Sequence, residues 1–421
     1  MGALFHHNAS VFIYNSSLTL MDLAQLRAEL RQEHKDILAY WQRYAPDAKQ
    51  GGFYGRVNYQ NQPDIRADKG IVLNARILCS FSAALRHTHH EEYRTTADLA
   101  FQYIQQHFVD PQHGGVYWSV TADGQPKYPL KHLYGQAFAL YGLSEYVRAT
   151  RSSPALALAK AQFQNMVRHA YDPHKGGFVE ALAQDWSPAT DYIISKYDNH
   201  ESKTMNTHLH LLESFTSLYH VWPDKSVADQ IRGMLRVFID HIVDPRTYRM
   251  NLFMDNDWKV RRTAVSYGHD IEASWLLPEA ANVLAERNST DKALQKTIRT
   301  LAINMARAAV TGFDPSDGGM NYELEPDGHL NTERSWWVMA EAMVGFMNAY
   351  QLTHERAFLD KSIRSWEFIK KYLLDLKNGE WFNGVTIDHK VLGNDKISMW
   401  KAPYHNSRSC LEMLERLEHL R

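Results

Sequence analysis

Cysteine is scarce: Cys79 and Cys410 are the only two in 421 residues. Both fall in apolar helical text and are read as buried free thiols, which suits a reducing compartment such as the cytoplasm. No apolar run approaches the ~18 residues that a membrane span needs. Residues 1–20, MGALFHHNASVFIYNSSLTL, have no basic start and only short apolar runs, so they are read as a flexible extension rather than a signal peptide. Neither sign of charge is in excess, with 46 Lys+Arg against 48 Asp+Glu. That balance offers no field for nucleic acid or an anionic membrane surface and points to a neutral partner. The phosphate cradles GxGxxG and the P-loop are missing, as are a GxSxG elbow and an HExxH zinc motif. No cysteine ligand set accompanies the histidines, so neither a metal nor another cofactor is expected.

What the chain has instead is a repeat. DPQHGGVYW at 110–118 returns as DPHKGGFVE at 172–180 and DPSDGGMNYE at 314–323. Weaker copies are PDAKQGGFYG at 46–55, DPRTYRMNLF at 244–253 and DLKNGEWFN at 375–383. The six aspartates, Asp47, Asp110, Asp172, Asp244, Asp314 and Asp375, are spaced 63, 62, 72, 70 and 61 apart. Proline after aspartate stops a helix, and a glycine pair permits a tight turn into a short extended piece. Between these turns each repeat holds an amphipathic helix, such as SVADQIRGMLRVFIDHIV, and a more apolar one, such as HLYGQAFALYGLSEYV. Six helix pairs predict an all-α (α/α)6 barrel with short β-hairpins in its connecting loops. It would form one domain over residues 21–421, with the apolar helices as an inner ring around a pit.

Unusual side chains recur near the starts of the apolar helices. Arg76, Tyr134, His210, His269, Trp337 with Glu341, and His405 follow one another at intervals of 58, 76, 59, 68 and 68. The intervals track the repeat and suggest a single phase of the ring. His208 and His210 are two apart, about 200° around a helix, so only one can face the pit; the match to His269 favours His210. His269 and Glu272, like His210 and Glu213, share a helix face at i,i+3. Arg76 stands inside apolar IVLNARIL and needs a partner there. Aromatics make up 12% of the chain, and their faces suit either a large core or stacking on sugars.

Histidine exchanges protons near neutral pH. Several histidines with an arginine in one pit suit reversible proton transfer beside an oxyanion, as in inverting the carbon next to a sugar carbonyl. The motifs KGIVLNARIL, KTMNTHLHLLESF, SYGHDIEASW, RSWWVMAEA and WKAPYHNSR resemble those of the N-acylglucosamine 2-epimerase superfamily, in its cellobiose 2-epimerase branch. The resemblance spans about residues 21–418 and implies the (α/α)6 fold. It also implies epimerisation at C2 of the reducing-end glucose of β-1,4 disaccharides, with no cofactor. His269 and His405 would be the two acid/base groups, His210 would assist ring opening, and Arg76 would stabilise the enediolate. Glu272 would tune the adjacent histidine, and Gly268 would let the chain bend into its helix. Tyr134, Asn206, Asp198, Trp337, Glu341 and Trp400 would line the sugar subsites. The partner is then a disaccharide (cellobiose, lactose or mannobiose), handled by a monomer or weak homodimer.

Three rival readings share these residues. A mannobiose 2-epimerase or an aldose–ketose isomerase would use the same bases. A glycoside hydrolase would need two carboxylates flanking the bond, for which Asp198, Glu272 and Glu341 are candidates. A sugar-binding protein would bind without exchanging the C2 proton.

Overall fold

The computed structural model describes residues 20–189 and 201–420. Outer helices are α1 (Leu20–Tyr44), α3 (Glu92–Tyr103), α5 (Ser153–Ala170), α7 (Lys225–Val237), α9 (Lys292–Ala309) and α11 (Arg356–Phe368). Inner helices are α2 (Ile71–Thr88), α4 (Leu133–Thr150), α6 (Met205–Val221), α8 (Tyr267–Arg287), α10 (Trp336–Thr353) and α12 (Tyr404–Glu418). Each inner helix packs on the next, and α12 packs back on α2, so the ring closes into the (α/α)6 barrel. The division follows from the sequence. Every residue of α2 from Ile71 to Ser82 is buried, as a helix surrounded on all sides requires. In α7 the buried residues Val227, Ala228, Ile231, Met234 and Leu235 form one stripe.

The aspartate turns work as read, with an added lock. Asp110 Oδ1 accepts from the backbone N–H groups of Gln112 (2.9 Å) and His113 (3.1 Å), while Gly114 holds φ +71°. Where glycine is missing, another residue is forced into the left-handed region: Tyr248 has φ +57°. The other carboxylate oxygen meets a buried cation from the strand just ahead of an inner helix. These pairs are Lys69–Asp47 (3.0 Å), Lys131–Asp110 (2.8 Å), Lys203–Asp172 (3.0 Å), Arg334–Asp314 (3.0 Å) and Lys396–Asp375 (3.0 Å). The fourth repeat breaks the pattern: Val265 replaces the cation, and Asp244 pairs with the exposed Arg246.

Among the described residues the strands form six small sheets around this rim. In each, the strand ahead of an inner helix pairs antiparallel with a strand of the following repeat, as Lys69 does with Val120. The last pair, Val57 with Ile397, joins the first repeat to the sixth. The closure seen in the helices is thus repeated in backbone hydrogen bonds. Among the described residues no helix is long and apolar enough to cross a membrane, and Cys79 and Cys410 are buried and unpaired.

The single phase expected from the spacing resolves into two tiers. Tyr134, Asn206, His269, Trp337 and His405 lie in the first turns of their helices. Arg76, His210, Glu272 and Glu341 lie one turn deeper. Positions four apart share a helix face, so both tiers address the same axis at different depths.

Candidate active site

The rim ends of the inner helices enclose a solvent-open cavity of about 310 Å³. The first-tier residues Tyr134, Asn206, His269, Trp337 and His405 line its wall, and Trp400 stands at its mouth. Arg76, His210 and Glu272 line it from below. Inner-helix N-termini converge here, and their dipoles favour negative charge in the cavity.

His269 and His405 both pack on Trp337, with ring centroids 4.7 and 5.7 Å from it, so one indole buttresses both imidazoles. Their supports differ. His405 Nδ1 donates to Glu341 Oε1 at 2.6 Å, which fixes the proton on Nδ1 and leaves Nε2 with a lone pair. His269 Nδ1 faces the Ser266 hydroxyl at 2.7 Å, a group able to donate or accept. His210 Nδ1 donates to Glu213 Oε2 at 3.0 Å. Burial pushes His269 down to about 3, and the neighbouring His210 adds to that. Burial also drives His405 well below the ordinary histidine range and lowers His210. Lowered in this way, all three favour the neutral form near pH 7.

Arg76 is held by the Tyr134 hydroxyl and the Trp400 carbonyl, each at 2.8 Å, while its Nε–H is buried without a partner. Its guanidinium lies over the rings of Phe138 (4.4 Å) and Tyr404 (5.0 Å). A preorganised cation with an unused donor beside a cavity suits a developing oxyanion.

Several expectations change. Glu272 makes no hydrogen bond to His269; Arg408 Nη2 donates to its Oε1 at 2.9 Å, and its Oε2 is buried and unpartnered. The i,i+3 spacing put both side chains on one face, but the guanidinium outcompetes a neutral imidazole for the carboxylate. Gly268 lies in the first turn of α8. A Cβ there would sit 2.6 Å from Trp337 and 2.7 Å from Val338, so the glycine admits the indole. Glu341 is not part of the cavity wall. It stands behind His405, fully buried, and also accepts from Trp275 Nε1 at 3.0 Å. Asp198 lies outside the described residues. His208 turns away from the cavity: its Nδ1 donates to the Thr204 carbonyl at 2.6 Å, and its Nε2 accepts from Phe178 N–H at 3.0 Å.

Among the described residues one potential cation site is present. Glu272, Glu341 and His405 each bring a ligand atom within 4.8 Å of one another. The positive charge at that point is the Arg408 guanidinium, bonded to both carboxylates. Glu272 and Glu341 therefore stand together on one cation rather than on opposite sides of a bond.

Sequence reading missed His132, Thr204 and Ser266, which line the cavity from the position just ahead of α4, α6 and α8. The signal was available: the residue preceding each apolar helix occupies a constant repeat position. It also missed the rim residues Arg262 and Glu323, which come from hairpins whose register no periodicity shows.

Residues 52–408 match the family model described as N-acylglucosamine 2-epimerase (GlcNAc 2-epimerase). The chain is 44% identical over 392 residues to a cellobiose 2-epimerase of Bacteroides fragilis, covering 92% of this chain and 98% of that protein. It is 36% identical over 392 residues to a cellobiose 2-epimerase of Ruminococcus albus, with the same coverage of 92% and 98%. The solved cellobiose 2-epimerase of Spirochaeta thermophila superposes with a TM-score of 0.89 at 35% identity, covering 96% of this chain and 99% of that one.

Proposed function

The chain belongs to the N-acylglucosamine 2-epimerase family, and from that premise we propose that it is a cellobiose 2-epimerase, an isomerase that inverts C2 of the reducing-end glucose of a β-1,4-linked disaccharide. Residues 21–421 act as one catalytic domain. The observation that carries this reading is that His269 and His405 line one open cavity, both packed on Trp337, with Arg76 beside them.

The reaction begins with the ring-closed sugar. His210, its Nδ1–H oriented by Glu213, presents Nε2 to take the anomeric hydroxyl proton as the C1–O5 bond breaks and to pass that proton to the ring oxygen, leaving the open-chain aldose and a neutral imidazole. One imidazole then removes the C2 proton from the open-chain aldose. Arg76 and the Tyr134 hydroxyl stabilise the oxygen of the enediolate in a low-dielectric setting. The second imidazole returns a proton to the opposite face of C2. For net inversion that group must carry a proton when its turn comes. Glu341, by accepting from Nδ1, makes His405 the better carrier of an imidazolium, whereas His269 has only a hydroxyl behind it. Trp337 and Trp400 offer faces for the apolar sides of the sugar rings.

Incubation with cellobiose tests the reading. A disaccharide of unchanged mass with mannose at its reducing end supports it. Release of free glucose replaces it with hydrolysis, and an unchanged sugar without C2 exchange in D2O replaces it with simple binding.

A further inference from the structure

We propose that Arg408 is a positioning residue, whose single guanidinium holds in register the carboxylates standing behind two of the cavity histidines. The inference rests on the reading above and adds a residue that does not itself line the cavity.

Arg408 lies on α12, three residues beyond His405, so its side chain passes beneath that imidazole. Its Nη1 bonds Glu213 and the Tyr404 hydroxyl. Its Nη2 donates to Glu272 Oε1 at 2.9 Å and to Glu341 Oε1 at 2.6 Å. Three carboxylates from α6, α8 and α10 thus meet one cation from α12. Two of them are the histidine supports: Glu341 Oε1 is the atom that accepts from His405 Nδ1, and Glu213 accepts from His210 Nδ1. The rings of Tyr404 and Trp275 cover the guanidinium at 4.2 and 4.7 Å and restrict its plane. Arg408, Tyr404 and Glu213 also line a second cavity of about 90 Å³.

The planar fork is what the arrangement needs. Five N–H donors in fixed directions can serve several oxygens at once, whereas a lysine ammonium is a point charge on a flexible stem. Remove the cation, and three carboxylates face one another in a buried floor, each free to move away from the imidazole it supports.

The charged and titratable groups around the His405–Glu341 pair are Arg76 from α2, His210 and Glu213 from α6, His269 and Glu272 from α8, and Tyr404 and Arg408 from α12. Tyr141 and Glu145 of α4, Glu279 of α8 and Glu412 of its own helix line the second cavity together with Arg408. Within this set, taking away a fixed positive charge makes the pair bind its proton more tightly, whichever partner carries it. The titration of His405 then moves to higher pH.

The test compares Arg408→Gln and Arg408→Lys with the unaltered protein. His405 is followed by NMR of its ring, assigned by difference from His405→Asn, and turnover is measured with cellobiose. The NMR readout needs no turnover, so it stands apart from the question of what the protein catalyses. R408Q is expected to titrate His405 at least one pH unit higher and to lose about 10²-fold in kcat with KM changed less than about threefold. R408K keeps the charge: it is expected to leave the titration near its original place and to recover only part of kcat. A loss of kcat with an unmoved His405 titration in R408Q assigns Arg408 a purely structural role and overturns the proposal. So does R408K turning over at the unaltered rate, and that variant decides the matter if R408Q does not fold.

Discussion

His405 Nδ1 lies 2.6 Å from Glu341 Oε1, a carboxylate carried by the neighbouring inner helix. The contact fixes the tautomer of the imidazole and turns its basic nitrogen to the cavity. Glu341→Gln keeps the shape of the side chain but removes its charge. A fall in kcat of about 10²–10⁴-fold is expected, with KM changed far less, because the lost interaction is strongest when His405 is protonated. Steady-state kinetics on cellobiose separate the two parameters.

Burial sets the pH behaviour of the bases. A base must be neutral to take a proton, and His269, pushed down to about 3, stays neutral well into acid. Loss of the base is therefore expected only well below pH 6.5; because the second imidazole must carry a proton, kcat/KM is expected to decline as pH rises above the lowered titration of His405. An acid limb centred near 6.5 would show that the bases are not the buried imidazoles.

The same burial gives stability the opposite sensitivity. Burial holds His34 and His208 to about 4 and His132 to about 3, against about 6.5 in an unfolded chain. Between those values the unfolded chain binds more protons, so the stabilisation is complete above about pH 6.5 and is lost as pH falls towards the folded values. Thermal midpoints are expected to drop steadily from pH 7 to pH 4.5.

The buried rim pairs predict a different loss. Lys131 and Asp110 are both fully buried and meet at 2.8 Å. Lys131→Met strands the carboxylate and is expected to cost about 3–5 kcal/mol in chemical denaturation. Adding Asp110→Leu to that variant is expected to restore part of the loss, since no unpaired charge then stays buried.

Legibility in the sequence followed periodicity. The DP…GG turns and the two helix types disclosed the ring because each is a local signal repeated six times. Arg76, His210, His269 and His405 stood out because polar groups interrupt apolar helices. Glu272 and Gly268 were placed correctly along the chain, but their neighbours were not. The guanidinium that takes Glu272 and the indole that fills the space at Gly268 arrive from helices 136 and 69 residues further on, and spacing within one helix cannot reveal either contact. The buried lysines of the rim were overlooked for the same reason. Each pairs with an aspartate across a turn, as Lys131 does with Asp110 21 residues before it.

The central claim is that two imidazoles act on opposite faces of one carbon, and solvent exchange by the single variants tests it most directly. His269→Asn and His405→Asn are each incubated in D2O with cellobiose and, separately, with its C2 epimer, and the C2 proton is followed by NMR. Each variant is expected to lose epimerisation by several orders of magnitude, in line with the 10²–10⁴-fold or more that a positioned base supplies. Each is also expected to keep exchange on one epimer only, and the two variants are expected to keep opposite ones. Both variants exchanging the same epimer, or either one epimerising at the unaltered rate, would contradict the account.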